Sequence, residues 1–247
     1  TGLLWAQEKS PFGVIQLYSV VVTAKRSFKD IGTQKTIIDS TALRDSVGNS
    51  LADVLAQHTS IFIKSYGRAT LATASFRGTA ASHTQVTWNG MRINSPMLGM
   101  VDFSLIPSYF IDDASLYHGA TSVGLTGGGL GGAVVLATKP VQEEGFGLRY
   151  IQGIGSFKTF DEFVRITYGS KKWNLSTRVY YASSANDFKY TNYKKKLYQK
   201  YEAGNITWRY HPVERNKNGY FKVFHALQEA SNNSDKGSRW GVSAWYR

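Results

Sequence analysis

Gly127, Gly129 and Gly132 have the residue types and spacing most suggestive of chemistry, since they satisfy the GxGxxG string of a dinucleotide-binding turn. That chemistry needs a strand before the string and a helix after it, so that the helix N-terminus meets a pyrophosphate. Residues 133–138 are instead a β-branched run that reads as a strand, and the glycines read as a tight turn where backbones approach closely. The five histidines (His58, His83, His118, His211 and His225) are scattered, and no HExxH, GxSxG or P-loop pattern occurs. The chain has no cysteine, which removes disulfides and thiolate metal sites. No catalytic residue, metal site or cofactor is expected, and an enzyme is the least favoured class.

SVVVTAKR at residues 19–26 offers main-chain chemistry instead. Val20, Val21, Val22 and Thr23 are strong strand formers, yet nothing in the first 35 residues reads as a partner strand. An unpaired strand captures the edge of another sheet through its N–H and C=O groups, with alternate side chains giving specificity. The segment reads equally as an edge strand of its own domain.

The elements around these residues divide the chain in two. In the first half, residues 50–57 place Leu51, Val54 and Leu55 on one helical face, with Asn49 or Ser50 as cap. Short strands are predicted at 61–63, 73–76, 85–88, 91–93, 115–117 and 133–138, with Asn89-Gly90 as a type I′ turn. This is a small mixed sheet with one or two helices. From Gly145 onward the period is two: Phe146, Leu148, Tyr150 and Ile154, then Trp173, Leu175, Val179 and Tyr181, then Ile206, Trp208 and Tyr210, then Trp240, Val242, Ala244 and Tyr246, each alternating with Gly, Arg, Asn, Ser or Thr. Residues 160–168 and 220–227 alternate less cleanly, giving about six strands of the ~10-residue length used in membrane barrels. No apolar run approaches the ~20 residues of a membrane helix.

Alternation also suits a soluble sandwich. Aromatic residues at the strand ends (Phe146, Trp173, Tyr181, Trp240, Tyr246) and connections that alternate between short (169–172) and long (187–200) favour a membrane barrel. Net charge is +12, with 11 basic and 10 acidic residues in 1–144 and 18 basic and 7 acidic in 145–247. Such a basic second half suits nucleic acid, an anionic membrane surface or simply a solvated face. A nucleic-acid-binding β protein is the competing class. Against it, the basic residues concentrate in one long loop and between aromatic positions, and the first half is nearly neutral.

In order and spacing, SVVVTAKR, SLADVLAQHTSIFIKSYG, SFRGTAASHTQVTWNGMRIN and SLYHGATSVGLTGGGLGGAVVLATK resemble the TonB-dependent outer-membrane receptors. The likeness covers roughly residues 17–140 by motif and the rest by pattern. It departs from the family at Ser115, where an acidic residue is frequent, and at Asn89, where an aspartate is usual. The wording of residues 72–99 resembles the cobalamin-receptor branch of Bacteroidetes-like bacteria.

The resemblance implies a mainly β fold, a small α+β plug domain inside a transmembrane antiparallel β-barrel. Its divisions are a signal-peptide remnant or ordinary flexible terminus at 1–16, a Ton box region at 17–26, a plug at 27–140 and the start of the barrel at 141–247. It implies outer-membrane location, with the plug accessible to the periplasm. The partner at Ser19, Val20, Val21, Val22, Thr23 and Ala24 would be the TonB C-terminal domain. Outer-membrane lipid, lipopolysaccharide and the remaining barrel strands would be further neighbours. The resemblance also admits a surface lipoprotein lid. No nucleic acid is implied.

By the same resemblance, loops 65–71 and 94–99 face outward, and Tyr66, Arg68, Asn94, Ser95, Met97 and Leu98 would contact the solute. An aromatic, an amide, a guanidinium and a thioether suit a large amphipathic ligand. Cobalamin or a related corrinoid is the solute implied, with a ferric siderophore or haem as the alternative. Arg77, beside Gly78, reads as a buried cation paired with barrel carboxylates, because an unpaired one would be costly. Plugged outer-membrane transporters have roughly 22 strands, whereas 107 residues follow Pro140. The remaining strands are therefore expected outside this chain.

Overall fold

Short apolar segments broken by turns build the first body. The computed structural model describes residues 34–45, 48–119, 130–141, 143–200, 206–233 and 239–247. The Ton box residues 19–24 lie outside them, as do residues 1–16 and Gly127 and Gly129. Lys35–Ile38 (β1) leads into the helices Ser40–Asp45 (α1) and Leu51–His58 (α2). Ser50 caps α2: Asp53 accepts from the Ser50 backbone N–H at 2.9 Å and from its hydroxyl at 2.7 Å. Leu51, Val54 and Leu55 are fully buried, as their spacing requires.

Phe62–Ser65 (β2) and Ala72–Ser75 (β3) form a hairpin of their own. Thr84–Trp88 (β4), Met91–Arg92 (β5), Asp113–His118 (β6) and Gly132–Ala137 (β7) join β1 in one sheet, in the order β1-β6-β7-β4-β5. Within that sheet only the β4–β7 pair is parallel. Asn89 and Gly90 have φ of 50° and 81° and set Trp88 opposite Met91, the type I′ geometry expected of Asn-Gly.

The second body is a wall. Gly145–Gly155 (β8), Thr159–Gly169 (β9) and Trp173–Ser184 (β10) form an antiparallel meander. Between β10 and the next wall strand, Lys189–Thr191 (β11), Leu197–Lys200 (β12), Ile206–Tyr210 (β13) and Val213–Arg215 (β14) make an arm in which β11 pairs with β14 and β12 with β13. Phe221–Asn233 (β15) and Arg239–Tyr246 (β16) complete the sheet in the order β8-β9-β10-β15-β16.

The wall thus has five strands among the described residues, where six were expected. The alternating segment at 206–210 belongs to the arm and pairs there with β12. Period two marks a two-faced strand but does not say which sheet it joins, and five residues are too few to match wall strands of 8 to 13.

Which face turns outward is settled by the pattern. Phe146, Leu148, Tyr150, Ile154, Tyr168, Trp173, Leu175, Phe224, Trp240, Val242 and Tyr246 stand exposed on the side away from the first body. Phe163, Arg178, Tyr180, Ala182, His225 and Leu227 are buried on the side facing it. Trp173 and Trp240 meet edge to face at one end of the outer surface, with centroids 5.4 Å apart. An apolar outer band with aromatic residues at its margins is how a strand wall sits in lipid. Among the described residues, no helix is long and apolar enough to cross a membrane.

Candidate functional site

The first body presses on the inward face of the wall, and side chains from both close the seam. Trp88 packs on Trp245 with centroids 5.0 Å apart, and Tyr109 stacks on Phe163 at 4.8 Å. Phe110 meets His225 edge to face at 6.2 Å. Trp88, Tyr109, Phe110 and Phe163 belong to the same buried cluster as the plug core and Trp245 packs against it, so wall and plug share one apolar interior.

Arg178 of β10 lies in that interior. Its register turns it inward, and none of its side chain is exposed. One amino group donates to Phe110 O at 2.8 Å and Tyr109 O at 3.3 Å. Those carbonyls end the single-turn helix Ser108–Phe110, which leaves them without partners inside the turn. The other amino group donates to Asp112 Oδ2 at 2.5 Å and lies 3.6 Å from Glu229 Oε2 of β15.

Asp112 also accepts from the backbone N–H of Lys139 at 2.9 Å and from Arg165 of β9 at 3.2 Å. Burial alone would raise its pKa. The Arg178 guanidinium, then the Lys139 N–H and Arg165, more than reverse this and hold it below the usual carboxylate value. Two guanidiniums and two carboxylates balance in charge, which is the condition for burying any of them. Glu229 extends the network: Thr138 donates to it and accepts from Asn89 Nδ2 at 2.7 Å. One wall residue, Arg178, therefore holds the segment at 109–112, and Asp112 and Glu229 hold the exit of the plug at 138–139.

A second junction lies nearer the other end of the wall. Arg68, on the β2–β3 loop, is ion-paired to Asp161 of β9, and Tyr180 donates to the same Asp161 oxygen at 2.8 Å. The guanidinium carbon sits 5.5 Å from the Phe221 ring centroid. Burial works against the charge on Arg68, and the Asp161 carboxylate outweighs it, leaving its pKa raised. Gly48 closes against this pair at φ +75°, where an added Cβ would stand 3.0 Å from Asp161 Oδ2. Beside the junction is a cleft of about 380 Å³ bordered by Asp53, Ser65, Arg68, Gly153, Thr159 and Asp161.

The residues expected to meet a solute separate into two groups. Tyr66, Met97 and Leu98 are exposed, Met97 to 94%. Ser95 is half-buried and accepts from the Leu98 N–H at 3.3 Å. Asn94 is buried and committed to structure: it accepts from Val86 N at 2.8 Å and donates to Thr84 O and Gly99 O at 2.9 and 2.8 Å. Arg68 is committed to Asp161.

Among the described residues Arg77 is exposed, at φ 46°, and donates to Gln34 at 2.6 Å; the further barrel strands whose carboxylates it was expected to meet are not among them. The buried cation at the seam is Arg178, and the carboxylate that meets it comes from the plug. The sequence signal for Arg178 was its register: in an alternating strand it shares a face with Ser176 and Tyr180, while Trp173, Leu175, Val179 and Tyr181 take the other.

Residues 27–133 match the family model described as the TonB-dependent Receptor Plug Domain. Over 122 residues the chain is 29% identical to the vitamin B12 transporter BtuB of Photobacterium profundum, a match that covers 48% of this chain and 20% of the relative. Its fold is similar to that of the siderophore receptor PiuA from Acinetobacter baumannii, with a TM-score of 0.60, 13% identity, and 86% of this chain and 26% of that one covered. It is likewise similar to the FrpB iron transporter from Neisseria meningitidis (F3-3 variant), with a TM-score of 0.64, 13% identity, and coverage of 85% and 30%. The chain thus spans about a fifth of the length of the curated relative. The match over residues 27–133, seated on a wall whose outer face is apolar, gives this chain a plug domain of the TonB-dependent receptor kind and places it in the bacterial outer membrane.

Proposed function

We propose that this chain is the plug and opening part of the barrel of an active-transport receptor that captures a scarce, large solute outside the cell and passes it inward. The observation that carries this reading is the Arg178 network, which fastens a plug to the inner face of a lipid-facing wall through polar bonds. A seam of this kind fixes the plug by directional polar bonds beside the apolar contacts of Trp88 with Trp245 and Tyr109 with Phe163. TonB is the partner that pulls, by strand pairing with Ser19, Val20, Val21, Val22, Thr23 and Ala24. Tyr66, Ser95, Met97 and Leu98 are the solute contacts on the outward loops, and Arg68 and Asn94 shape those loops from behind.

The solute proposed is cobalamin or a related corrinoid. Similarity to the vitamin B12 transporter of Photobacterium profundum supports it. A ferric siderophore or haem is the second reading, and likeness in fold to a siderophore receptor favours its first form. Calorimetry on the full-length receptor separates them. The corrinoid reading expects saturable cobalamin binding and no signal from a ferric siderophore or haem. Saturable binding of either control without cobalamin binding would replace the solute and leave the transport reading in place.

A further inference from the structure

Arginine recurs along one row of the inward face of the wall. Arg149 of β8 stands directly opposite Arg165 of β9, and Arg165 stands directly opposite Arg178 of β10. Like charges facing each other across neighbouring strands are unfavourable unless anions stand among them. Asp112 serves both Arg165 and Arg178, and Glu229 lies 3.6 Å from Arg178. The row thus holds three guanidiniums against two carboxylates, and the surplus charge falls at Arg149. Among the described residues Arg149 makes no ion pair, and its one side-chain hydrogen bond is donated to the Arg44 carbonyl, in the last turn of α1, at 3.2 Å.

The surplus cation borders a cavity. A space of about 340 Å³ lies at the plug-exit end, between α1, residues 139–144 and the inward faces of β8 and β9. Arg44 lines it from the plug and Arg149 from the wall. Arg165 lines it too, and its Nε is buried without a partner among the described residues. Gly147, on the same face of β8 as Arg149, keeps the floor low: an added Cβ would stand 2.5 Å from Thr167 Oγ1.

The other charges around the cavity leave this surplus in place. Lys139 is paired with Asp113 at 3.3 Å. Asp112 is engaged by the two wall arginines. Glu143 and Glu144 lie on the segment that joins plug to wall, where they are exposed and make no ion pair among the described residues.

We infer that Arg44, Arg149 and Arg165 form an oxyanion site on the boundary between plug and wall. On the transport reading above, on which this step rests, the site receives the phosphate or carboxylate group of the solute on its way inward. Guanidiniums match such groups in shape and charge. One donor belongs to the plug and two to the wall, so a bound anion bridges the boundary that a solute has to pass. A cavity of this size takes one anionic group rather than a whole macrocycle. It lies at the opposite end of the wall from the Arg68 junction, away from the outward loops that meet the solute first.

The test uses the full-length receptor titrated calorimetrically with inorganic phosphate, and cells that carry the same variants. Arg149→Gln should weaken phosphate binding about tenfold, the loss of one charge-assisted contact. Arg149→Lys should recover part of it. Cells with R149Q should bind solute at the surface as unaltered cells do and take it up severalfold more slowly. The variant E143Q/E144Q should bind phosphate at least as tightly as the unaltered protein. Equal phosphate affinity in R149Q would overturn the inference. So would phosphate binding that arises only in E143Q/E144Q, which would make those carboxylates the resident anion. A tenfold loss with uptake unchanged would mark an adventitious ion only and remove the site from the path. The titration needs no solute, so its failure strikes the site, whereas a receptor that takes up no solute strikes the transport reading.

Discussion

Arg178 and Asp112 come from different bodies of the fold and meet at 2.5 Å, with 0% of one side chain and 5% of the other exposed. The arginine grips two backbone carbonyls of the plug as well as the carboxylate, so it fixes both the position and the angle of the segment before β6. In a buried network of this kind, removing one partner leaves the other only partly compensated, Asp112 by Arg165 and Arg178 by Glu229.

Arg178→Met should therefore cost about 3–5 kcal/mol of plug seating, the range for breaking a buried pair from one side. Arg178→Lys should recover part of this, because it restores the charge but not the fork that spans both carbonyls and the carboxylate. Hydrogen exchange at residues 109–113 and 137–139 of the full-length receptor reads the loss directly. Unchanged protection in R178M would mean that the apolar stack around Tyr109 and Phe163 holds the plug alone.

Acid should loosen the same seam. A carboxyl whose pKa is lower folded than unfolded contributes stability above its unfolded value, about 3.9 for aspartate, and loses it as pH falls through the lower folded value. Asp112 is depressed in this way. Protection of 109–113 should be flat from neutral pH down to about pH 4 and should decline below it. Asp112→Asn should be weaker at neutral pH, lack this acid-dependent step and converge with the unaltered protein at the acid end.

Asn94 and Met97 are neighbours in sequence with opposite roles. Asn94→Ala removes three buried hydrogen bonds and leaves Val86 N–H unsatisfied, and it should cost about 1–3 kcal/mol of stability. Met97→Ala should leave the melting temperature unchanged and, on the transport reading, weaken solute binding. A destabilised M97A or a neutral N94A would reverse the assignment of the two residues.

Val21→Pro tests the Ton box separately from the lumen. Proline deletes an N–H that the partner strand would use. Uptake by cells should be lost, and solute binding to the purified receptor should be unchanged. Normal uptake would remove residues 19–24 as the point of traction.

Gly48→Ala probes the second junction. Its left-handed φ and the 3.0 Å approach to Asp161 leave no room for a methyl group without moving the Arg68 pair. A loss of roughly 1–2 kcal/mol is expected from the backbone alone. A neutral G48A would mean that the loop carrying Arg68 shifts freely.

Much of this fold is legible in residue order. The inward and outward faces of the wall follow from alternation, because a strand has no other way to satisfy lipid on one side and a packed plug on the other. Asn89-Gly90 and the Ser50 cap follow from local chemistry. β1 does not: Lys35–Ile38 is four residues long, and its partner among the described residues is β6, about eighty residues away. The 206–210 strand carries the same pattern as a wall strand, and only its pairing reveals the arm. The seam was half legible. Alternation puts Arg178 inward, but nothing local says that Asp112 will be opposite, since that pairing depends on how two separately folded surfaces meet. Arg77 drew attention through its neighbouring glycine, and both residues lie in a turn of positive φ.

A double-mutant cycle on Arg178→Met and Asp112→Asn tests the seam most directly, with hydrogen exchange of residues 109–113 in the full-length receptor as the readout. If these two residues fasten the plug to the wall, the double variant should be little worse than R178M alone, with a coupling of about 2–3 kcal/mol. Losses that simply add would show that the two side chains do not act on each other, and the proposed fastening would fail.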